Sequence, residues 1–284
     1  MRGNNIKVSR NQHGSGGIDA AHDLVINALS HLDINADVFS RNGRVVIDAG
    51  TMLQSAARIL SLTEGTTAVP AIQINVRGEY TLAGNFYAVD HNGSTIDNAE
   101  IVFENGGFVV KKNGLTLADA SVLSDTQIYS NNNETDIKAK NLNNKKGTID
   151  SRKNVNLKAD NFNNEGFVLT DGTLVIDIKD TINNKGLIIA NADLAISGSA
   201  LSNQGRLTAG KDIRIDLGYL DSRTFSGKNN RGLLDNKGII NANDAMTVKA
   251  GNIDNGGLLL AENSAEINTS DLSNTGTVQA KKPK

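Results

Sequence analysis

The sequence contains no cysteine, so a disulfide framework and a metal site built from thiolates are both excluded. Aromatic residues make up only 4% of the chain and tryptophan is absent, whereas a globular enzyme usually has a larger aromatic core. Only 2 of the 284 residues are proline, and Val, Ile and Leu are frequent, which separates the composition from that of a disordered chain. Apolar runs are short throughout, and none approaches the roughly 20 residues that span a bilayer. We therefore expect a soluble chain with no signal peptide in its first residues.

Neither sign of charge dominates the chain. There are 29 basic and 31 acidic residues, for a formal net charge of −2. Nucleic acids and anionic membranes bind mainly through clustered positive charge. We therefore expect neither a nucleic-acid partner nor insertion into a membrane.

The sequence does contain a repeat that is rich in glycine and asparagine. Glycines mark it at a spacing of 19 or 20 residues, apart from one gap of 33. These anchor glycines are Gly147, Gly166, Gly186, Gly205, Gly238, Gly257 and Gly276. An apolar residue stands two positions after each anchor, and a small residue stands four positions after it. Further apolar residues follow eight and ten positions after the anchor in the repeats that extend so far.

Apolar residues at a spacing of two indicate β-strands. At about 3.3 Å per residue, one repeat is too short to form a sheet unit with its own core. It is long enough for one turn of a coil whose strands pair with the equivalent strands above and below, about 4.8 Å away. We therefore predict an all-β fold, a right-handed parallel β-helix (β-solenoid) with rungs of about 19–20 residues. The small residue after each anchor is expected at a corner of the coil.

An asparagine stands two positions before the anchor in six of the seven repeats. These residues are Asn164, Asn184, Asn203, Asn236, Asn255 and Asn274, and the equivalent in the first repeat, which carries one extra residue, is Asn144. One interpretation is a turn residue that tolerates a left-handed backbone. The other is an amide ladder, in which each side chain bonds to the next rung. Both interpretations make the column structural.

The first half of the chain has a looser rhythm, in which strand-like runs such as AEIVFENGG and FVVKKNG alternate with turn residues. We expect residues 1–140 to form an irregular β-helix, a candidate receptor-binding segment. Residues 141–284 are expected to form the regular repeat β-helix, with an inserted loop at 218–232. The run TMLQSAARIL, residues 51–60, is compatible with a short helix or with a strand. If rungs continue throughout, the chain makes roughly 13 or 14 of them, in a rod on the order of 65 Å long.

The regular half resembles a known repeat family. The run LDNKGIINANDAMTVKAGNIDNGGLLLAENSAEINTSDLSNTGTVQA is similar to the filamentous haemagglutinin repeat of large exported bacterial adhesins. Those proteins are passengers of two-partner secretion systems, and they include haemagglutinin-type adhesins and the CdiA-like proteins of contact-dependent growth inhibition. The similarity is specific over about residues 140–280, where the Leu-x-Asn-x-Gly core recurs in each rung.

The resemblance implies a β-helical filament on the surface of a Gram-negative cell, exported through an outer-membrane secretion partner. The secretion domain of these families has no convincing match here, so an internal segment of a longer exoprotein is expected. Such a segment would hold a distal adhesive or toxin domain away from the cell, for adhesion or toxin delivery. The expected partner is an outer-membrane protein or a surface glycan of a target cell.

Two places are candidate receptor contacts. The gap of 33 residues holds the insertion GYLDSRTFSGKNNRG, which combines scarce aromatic residues with cations. Its candidate residues are Tyr219, Arg223, Phe225, Lys228 and Arg231. Tyrosine and arginine are enriched at binding hot spots, and loops on rigid scaffolds often carry function. The other candidates are Phe86 and Tyr87, which point to opposite faces if they lie on a strand, so that one of them is expected to be exposed.

Two other function classes stay open. One is a purely structural shaft with no partner, in which the insertion is a neutral surface loop. The other is a polysaccharide-processing β-helix enzyme, which would need clustered carboxylates or a bound calcium ion. Aspartates are scattered along the turns, and the pair His22 and His31 is more typical of a surface than of a site. We therefore predict no catalytic residues, no metal and no cofactor.

Overall fold

The computed structural model describes residues 1–9, 16–63, 69–218 and 232–281. Within these residues the chain winds into a parallel β-helix in which each rung supplies strands to three faces. Faces 1 and 2 share a 17-stranded sheet, because several strands bend from one face into the other, and face 3 is an 11-stranded sheet. The all-β class and the parallel β-helix predicted from the sequence are confirmed.

The strands follow the order face 1, face 2, face 3 in every complete rung. The first rungs contain β1 (Arg2–Ser9), β2 (Ile18–Ala20), β3 (Leu24–Asn35), β4 (Val38–Ser40), β5 (Val45–Ser55), β6 (Arg58–Ser61), β7 (Ile72–Val76) and β8 (Glu79–Ala83). Five further strands leave the helix, namely β9 (Phe86–Val89), β10 (Glu100–Glu104), β11 (Gly107–Lys112), β12 (Leu115–Thr116) and β13 (Ser121–Ser124). The helix resumes with β14 (Gln127–Ser130), β15 (Thr135–Lys138), β16 (Asn141–Lys145), β17 (Thr148–Ser151), β18 (Val155–Asn164), β19 (Phe167–Thr170), β20 (Leu174–Asn184), β21 (Leu187–Ala190), β22 (Leu194–Ser197) and β23 (Ala200–Asn203). It continues with β24 (Arg206–Ala209), β25 (Ile213–Leu217), β26 (Leu233–Asn236), β27 (Ile239–Ala242), β28 (Ala245–Ala250), β29 (Asn252–Asn255), β30 (Leu258–Ala261), β31 (Ser264–Asn268), β32 (Asp271–Asn274) and β33 (Thr277–Ala280).

The core consists of the apolar columns that the repeat predicts. Ile176, Ile196 and Ile215 stack on successive rungs of face 1, and each is at most 2% exposed. Ile188 and Leu207 stack on face 3 in the same way and are fully buried. Since alternate residues point inward, each rung buries apolar side chains from all three faces in one continuous core.

The anchor glycines are needed for close stacking of the turns. A Cβ atom added to Gly205 would lie 2.1 Å from the carbonyl oxygen of Gly186, and one added to Gly186 would lie 2.1 Å from that of Gly166. The same clash recurs at Gly238, Gly257 and Gly276. Backbone of one turn therefore rests directly on backbone of the next, which excludes any larger residue.

The asparagine column forms an amide ladder inside the coil. The Nδ2 of Asn164 donates to the Oδ1 of Asn184 at 2.8 Å, and the Nδ2 of Asn184 donates to the Oδ1 of Asn203 at 2.8 Å. The same side-chain hydrogen bond joins each asparagine to the next in the series Asn144, Asn164, Asn184, Asn203, Asn236, Asn255 and Asn274. These asparagines are absent from the residues with positive φ, whereas the extra residue of the first repeat, Lys146, has a φ of 62°. Of the two interpretations, the ladder is the one observed.

The first half resolves one open alternative and corrects one estimate. Residues 51–60 contain no helix: β5 runs to Ser55 and β6 begins at Arg58, because Met52 and Gln54 point inward at the spacing of a strand. The estimate of 13 or 14 rungs is wrong, since face 3 holds 11 stacked strands within the described residues. The difference arises because residues 86–124 do not form rungs.

Candidate interaction surface

The chain leaves the helix between β8 and β14, and we call residues 84–126 the insertion. Its base is an antiparallel ribbon of β9 and β13, and beyond it β10, β11 and β12 form a separate antiparallel sheet. The turns of this sheet are Asn105–Gly106 and Asn113–Gly114, all four residues with φ between 51° and 78°. Paired positive φ values define the type I′ turn, whose twist matches that of the strands it joins.

Four phenylalanines attach the insertion to the helix. The ring of Phe86, in β9, lies 4.7 Å from that of Phe108 and 5.2 Å from that of Phe167, which belongs to face 3. Phe108 also lies 5.0 Å from Phe167 and 5.1 Å from Phe103. These edge-on and tilted contacts combine a large buried area with favourable ring geometry. The insertion is thereby held against the outside of the rod.

The sheet of the insertion lies along face 3 and crosses several rungs. A Cβ atom on Gly106, at its tip, would lie 2.4 Å from the Cδ1 of Ile239. Phe167, Leu187, Arg206 and Ile239 form one outward column in register, so the insertion extends from the rung of β19 to that of β27. Sequence reasoning missed this docking surface. Its signal was an apolar residue directly after several anchor glycines, at a position that faces out of the coil.

Phe86 and Tyr87 point to opposite sides of β9. Phe86 is half-buried in the phenylalanine cluster, whereas Tyr87 is 36% exposed. Tyr87 pairs across the ribbon with Leu123, which is 44% exposed, and Leu115 at the far end of the insertion is 72% exposed. Outside the phenylalanine cluster, the insertion thus carries apolar side chains that are open to a partner.

The second group of candidates lies outside the described residues. Tyr219, Arg223, Phe225, Lys228 and Arg231 all fall within residues 219–231. The strands on either side of this segment lie within the described residues: β25 ends on face 1 at Leu217, and β26 begins on face 2 at Leu233. β26 pairs with β23, so the stacking of rungs continues across the inserted residues.

Several outward charges form attractive pairs between neighbouring rungs. The Nζ of Lys158 lies 2.8 Å from the Oδ2 of Asp177, and the Nζ of Lys185 lies 3.6 Å from the Oε1 of Glu165. The bond from Lys158 holds the pKa of the Asp177 carboxyl below its usual value. These pairs are exposed, so they support the register of the strands more than the stability of the fold.

His22 and His31 do not form a site together. His31 lies within β3 and its Nδ1 is 2.8 Å from the Oγ1 of Thr51, whereas His22 lies in the turn before that strand. Within the described residues, no cluster of three or more His, Cys, Asp or Glu side chains could hold a metal ion. That part of the chain also has no helix long and apolar enough to cross a membrane.

The comparisons with known proteins agree with this architecture. A family model described as Haemagglutinin repeat matches residues 128–166, 154–218 and 212–281. The match begins within β14, where the chain re-enters the helix after the insertion. These segments cover more than half of the sequence, and the chain belongs to the haemagglutinin repeat family. Neither the comparison with curated proteins nor the comparison with solved structures gave a match.

Proposed function

We propose that this chain is a non-enzymatic segment of a secreted, surface-displayed exoprotein of a Gram-negative bacterium, in which a rigid rod presents a receptor-binding surface to another cell. Membership in the haemagglutinin repeat family supports the first part, because such repeats are typical of adhesin-type surface exoproteins. The observation that carries the second part is the insertion. It is fixed to the rod by four phenylalanine rings and still leaves Tyr87, Leu115 and Leu123 exposed.

Stiffness follows from the way the rungs are joined. Each rung is bonded to its neighbours by backbone hydrogen bonds on three faces, and the rungs from Asn144 to Asn274 are also joined by the amide ladder. Bending the rod would open several of these bonds together, so a domain beyond its end would be held at a fixed distance. A surface attached to such a rod is preorganised, which lowers the entropic cost of binding.

The receptor is proposed to be an outer-membrane protein or a surface glycan of a target cell. Full-length export would use an outer-membrane secretion partner, as in two-partner secretion. The same rod serves two versions of the proposal, adhesion and contact-dependent growth inhibition, which differ in the distal domain that the rod carries. The insertion favours a receptor-binding segment over a plain shaft, because a shaft needs no protruding element with exposed apolar residues.

The direct test is binding of the labelled chain to a panel of Gram-negative cells that lack individual outer-membrane proteins or surface polysaccharide. Saturable binding to some of these cells is expected. The insertion can be removed cleanly, because the backbone of Asn85 and the carboxylate of Asp125 already hydrogen-bond at 2.8 Å and a short Gly-Ser link can join these positions.

Two variants would distinguish a receptor-binding insertion from a plain shaft. Removal of residues 86–124 should abolish cell binding while circular dichroism still reports a β-rich fold. Replacing Leu233, which is 43% exposed on face 2 away from the insertion, by Ser serves as the control and should leave binding unchanged. Absence of saturable binding to every cell, from a folded sample, would leave the plain shaft as the better description.

A further inference from the structure

A second outward column of face 3 is apolar and aromatic on three successive rungs, between Asp19 and Asp150. Phe39 on β4, Leu60 on β6 and Tyr129 on β14 are paired in register on three successive rungs. Each is half-buried, with one side open to solvent. Since neighbouring strands lie about 4.8 Å apart, Phe39 and Tyr129 are separated by about 10 Å along the rod. The three side chains form a flat apolar floor.

The insertion adds a wall to this floor. The chain leaves face 2 after β8 and returns directly into β14, so the ribbon of β9 and β13 stands beside the strand that carries Tyr129. The exposed pair Tyr87 and Leu123 lies on one side of this ribbon, opposite the side of Phe86. The hydrogen bond to Asp37 raises the pKa of the Arg58 guanidinium, and Tyr87, which lies near Arg58 on the neighbouring rung of face 3, adds a smaller contribution in the same direction. We call the floor of Phe39, Leu60 and Tyr129, with its wall of Tyr87 and Leu123, the aromatic corner.

Ion pairs flank the floor on both sides. Where β6 begins, the Nε of Arg58 donates to the Oδ2 of Asp37 at 3.0 Å. Just beyond β4, the Nε of Arg41 donates to the Oδ1 of Asp19 at 2.9 Å, and its guanidinium lies 5.9 Å from the centre of the Phe39 ring. Phe39 and Leu60 line one shallow groove together with Asp19, Asp37 and Arg58. Each arginine is paired with its own aspartate, so the rim has both N–H donors and carboxylate acceptors, and Asp150 supplies a further carboxylate next to Tyr129.

We propose that the aromatic corner binds a neutral oligosaccharide. The inference rests on the proposed contact with another cell and identifies the receptor, at this site, as a glycan. A flat aromatic floor packs against the C–H faces of sugar rings, and the paired ions at its edges supply both the donors and the acceptors that hydroxyl groups require. An anionic glycan would meet Asp19 and Asp37, and a basic peptide would meet Arg41 and Arg58, so the rim favours neither.

The length of the floor also fits this ligand. A chain of sugars running along the rod would place one ring over Phe39 and another over Tyr129, about 10 Å apart, with Leu60 between them. Such a ligand needs no deep pocket, because it gains contact area along its length. The wall of Tyr87 and Leu123 would contact such a ligand from one side of the run.

An array of neutral and anionic glycans tests the proposal, with the purified chain as the probe and with follow-up titration by calorimetry. At least one neutral oligosaccharide should bind saturably, with an affinity that changes little when salt is raised. Tyr129→Ala and Tyr87→Ala should each weaken this binding by about tenfold or more, as expected for buried aromatic contacts. Tyr129→Phe, which keeps the ring, should retain it.

Leu260→Ala is the matched control, because Leu260 occupies the same outward column many rungs away and is half-buried there. That variant should bind as tightly as the unchanged chain. Binding of anionic glycans alone, or binding of neutral glycans that survives both tyrosine substitutions in folded variants, would overturn the proposal. So would the absence of binding to every neutral glycan.

The outcomes separate this inference from the proposed function. Cell binding that Tyr129→Ala leaves intact, together with no neutral glycan on the array, would remove the glycan site and keep the receptor-binding rod. Glycan binding that depends on Tyr129, together with no binding to any bacterial cell, would keep the site and refute the proposed contact with bacterial target cells.

Discussion

The amide ladder can be tested with two neighbouring residues that make similar bonds in different surroundings. Asn164 is 1% exposed, donates to Asn184 at 2.8 Å and accepts from Asn144 at 2.8 Å. Asn163 points outward, donates to Asn143 at 2.8 Å and accepts from Asn183 at 2.8 Å. Each residue is thus the middle member of an amide ladder. Asn164 is buried and also bonds to the backbone of Gly166 at 3.3 and 3.4 Å, whereas Asn163 is only partly buried.

The expected losses in the free energy of unfolding differ because water can replace the hydrogen bonds of Asn163 but not those of the buried Asn164. Asn164→Ala removes two buried amide bonds, together with the longer bonds to the Gly166 backbone, and leaves the Oδ1 of Asn184 without its donor. The Nδ2 of Asn144 keeps the carbonyl of Phe167 at 3.2 Å. At about 1 kcal/mol for each lost bond and about 1–3 kcal/mol for the buried oxygen left unpaired, the free energy of unfolding should fall by roughly 3–5 kcal/mol. Asn163→Ala leaves its partners open to solvent, so its loss should stay below about 1 kcal/mol.

The assay is urea unfolding of both variants, followed by far-ultraviolet circular dichroism and analysed with a common slope. A rod of stacked rungs can unfold in parts, so coincidence of the transition with that from a second probe is the necessary control. Equal stability losses in the two variants would refute the argument that the buried ladder differs from the outer one. A small loss in both would mean that the core tolerates an unpaired amide oxygen.

Three further predictions follow from the same geometry. Gly205→Ala places a Cβ 2.1 Å from a backbone oxygen and should lower the free energy of unfolding by about 2 kcal/mol or more. In Gly107→Ala the new Cβ meets no atom within 4 Å, so the change should be less than about 0.5 kcal/mol. The urea midpoints of the two variants measure this difference. Ile196→Asp buries an unpaired charge at a position that is 2% exposed, so the free energy of unfolding should fall by about 3 kcal/mol or more. The outward substitution Ala195→Asp should be tolerated. An unchanged melting temperature for Ile196→Asp would contradict the assigned register. Phe108→Ala should release the insertion without unfolding the rod, so limited proteolysis should cut the insertion faster while the helix stays intact, and an unchanged cleavage rate would show that the phenylalanine cluster does not hold it.

Much of the rod could be predicted from the sequence because stacked rungs require the same residue types at equivalent positions of every repeat. Inward positions recur at fixed offsets from each anchor glycine, and Ile196 illustrates the pattern with apolar neighbours above and below it. The requirement for glycine has a cause that the sequence does not reveal. Gly205 is held to glycine by the carbonyl of Gly186 on the rung before it, and only the coordinates place that oxygen.

The first half of the chain was harder to predict from the sequence because its rungs are longer and less alike. Ala36 and Ala57 stand before β4 and β6, where the regular repeats have the anchor glycine, so the periodic glycine is missing there. The sequence of residues 51–60 is compatible with a helix or a strand, and the inward positions of Met52 and Gln54 identify the strand. Burial therefore decides between the two alternatives.

The insertion had a sequence signal that remained unused. Asn105–Gly106 and Asn113–Gly114 each separate two strand-like runs by two residues, which is the strongest local pattern for a type I′ hairpin. Those hairpins break the parallel winding and therefore predict an element outside the coil. The docking of the insertion on Phe167 and the meeting of Tyr87 with face 3 depend on contacts between distant segments, which no local pattern encodes.

The account depends on rungs that stay stacked in register on both sides of residues 219–231. Because the chain has no cysteine, two can be introduced for nitroxide labels at Glu165 and Thr275, exposed positions just before β19 and β33. Five rungs of about 4.8 Å separate them along face 3, so pulsed electron resonance should give a narrow distance distribution near 24 Å. A broad distribution, or a distance beyond about 40 Å, would contradict the stacked rod and with it the scaffold on which the proposed function rests.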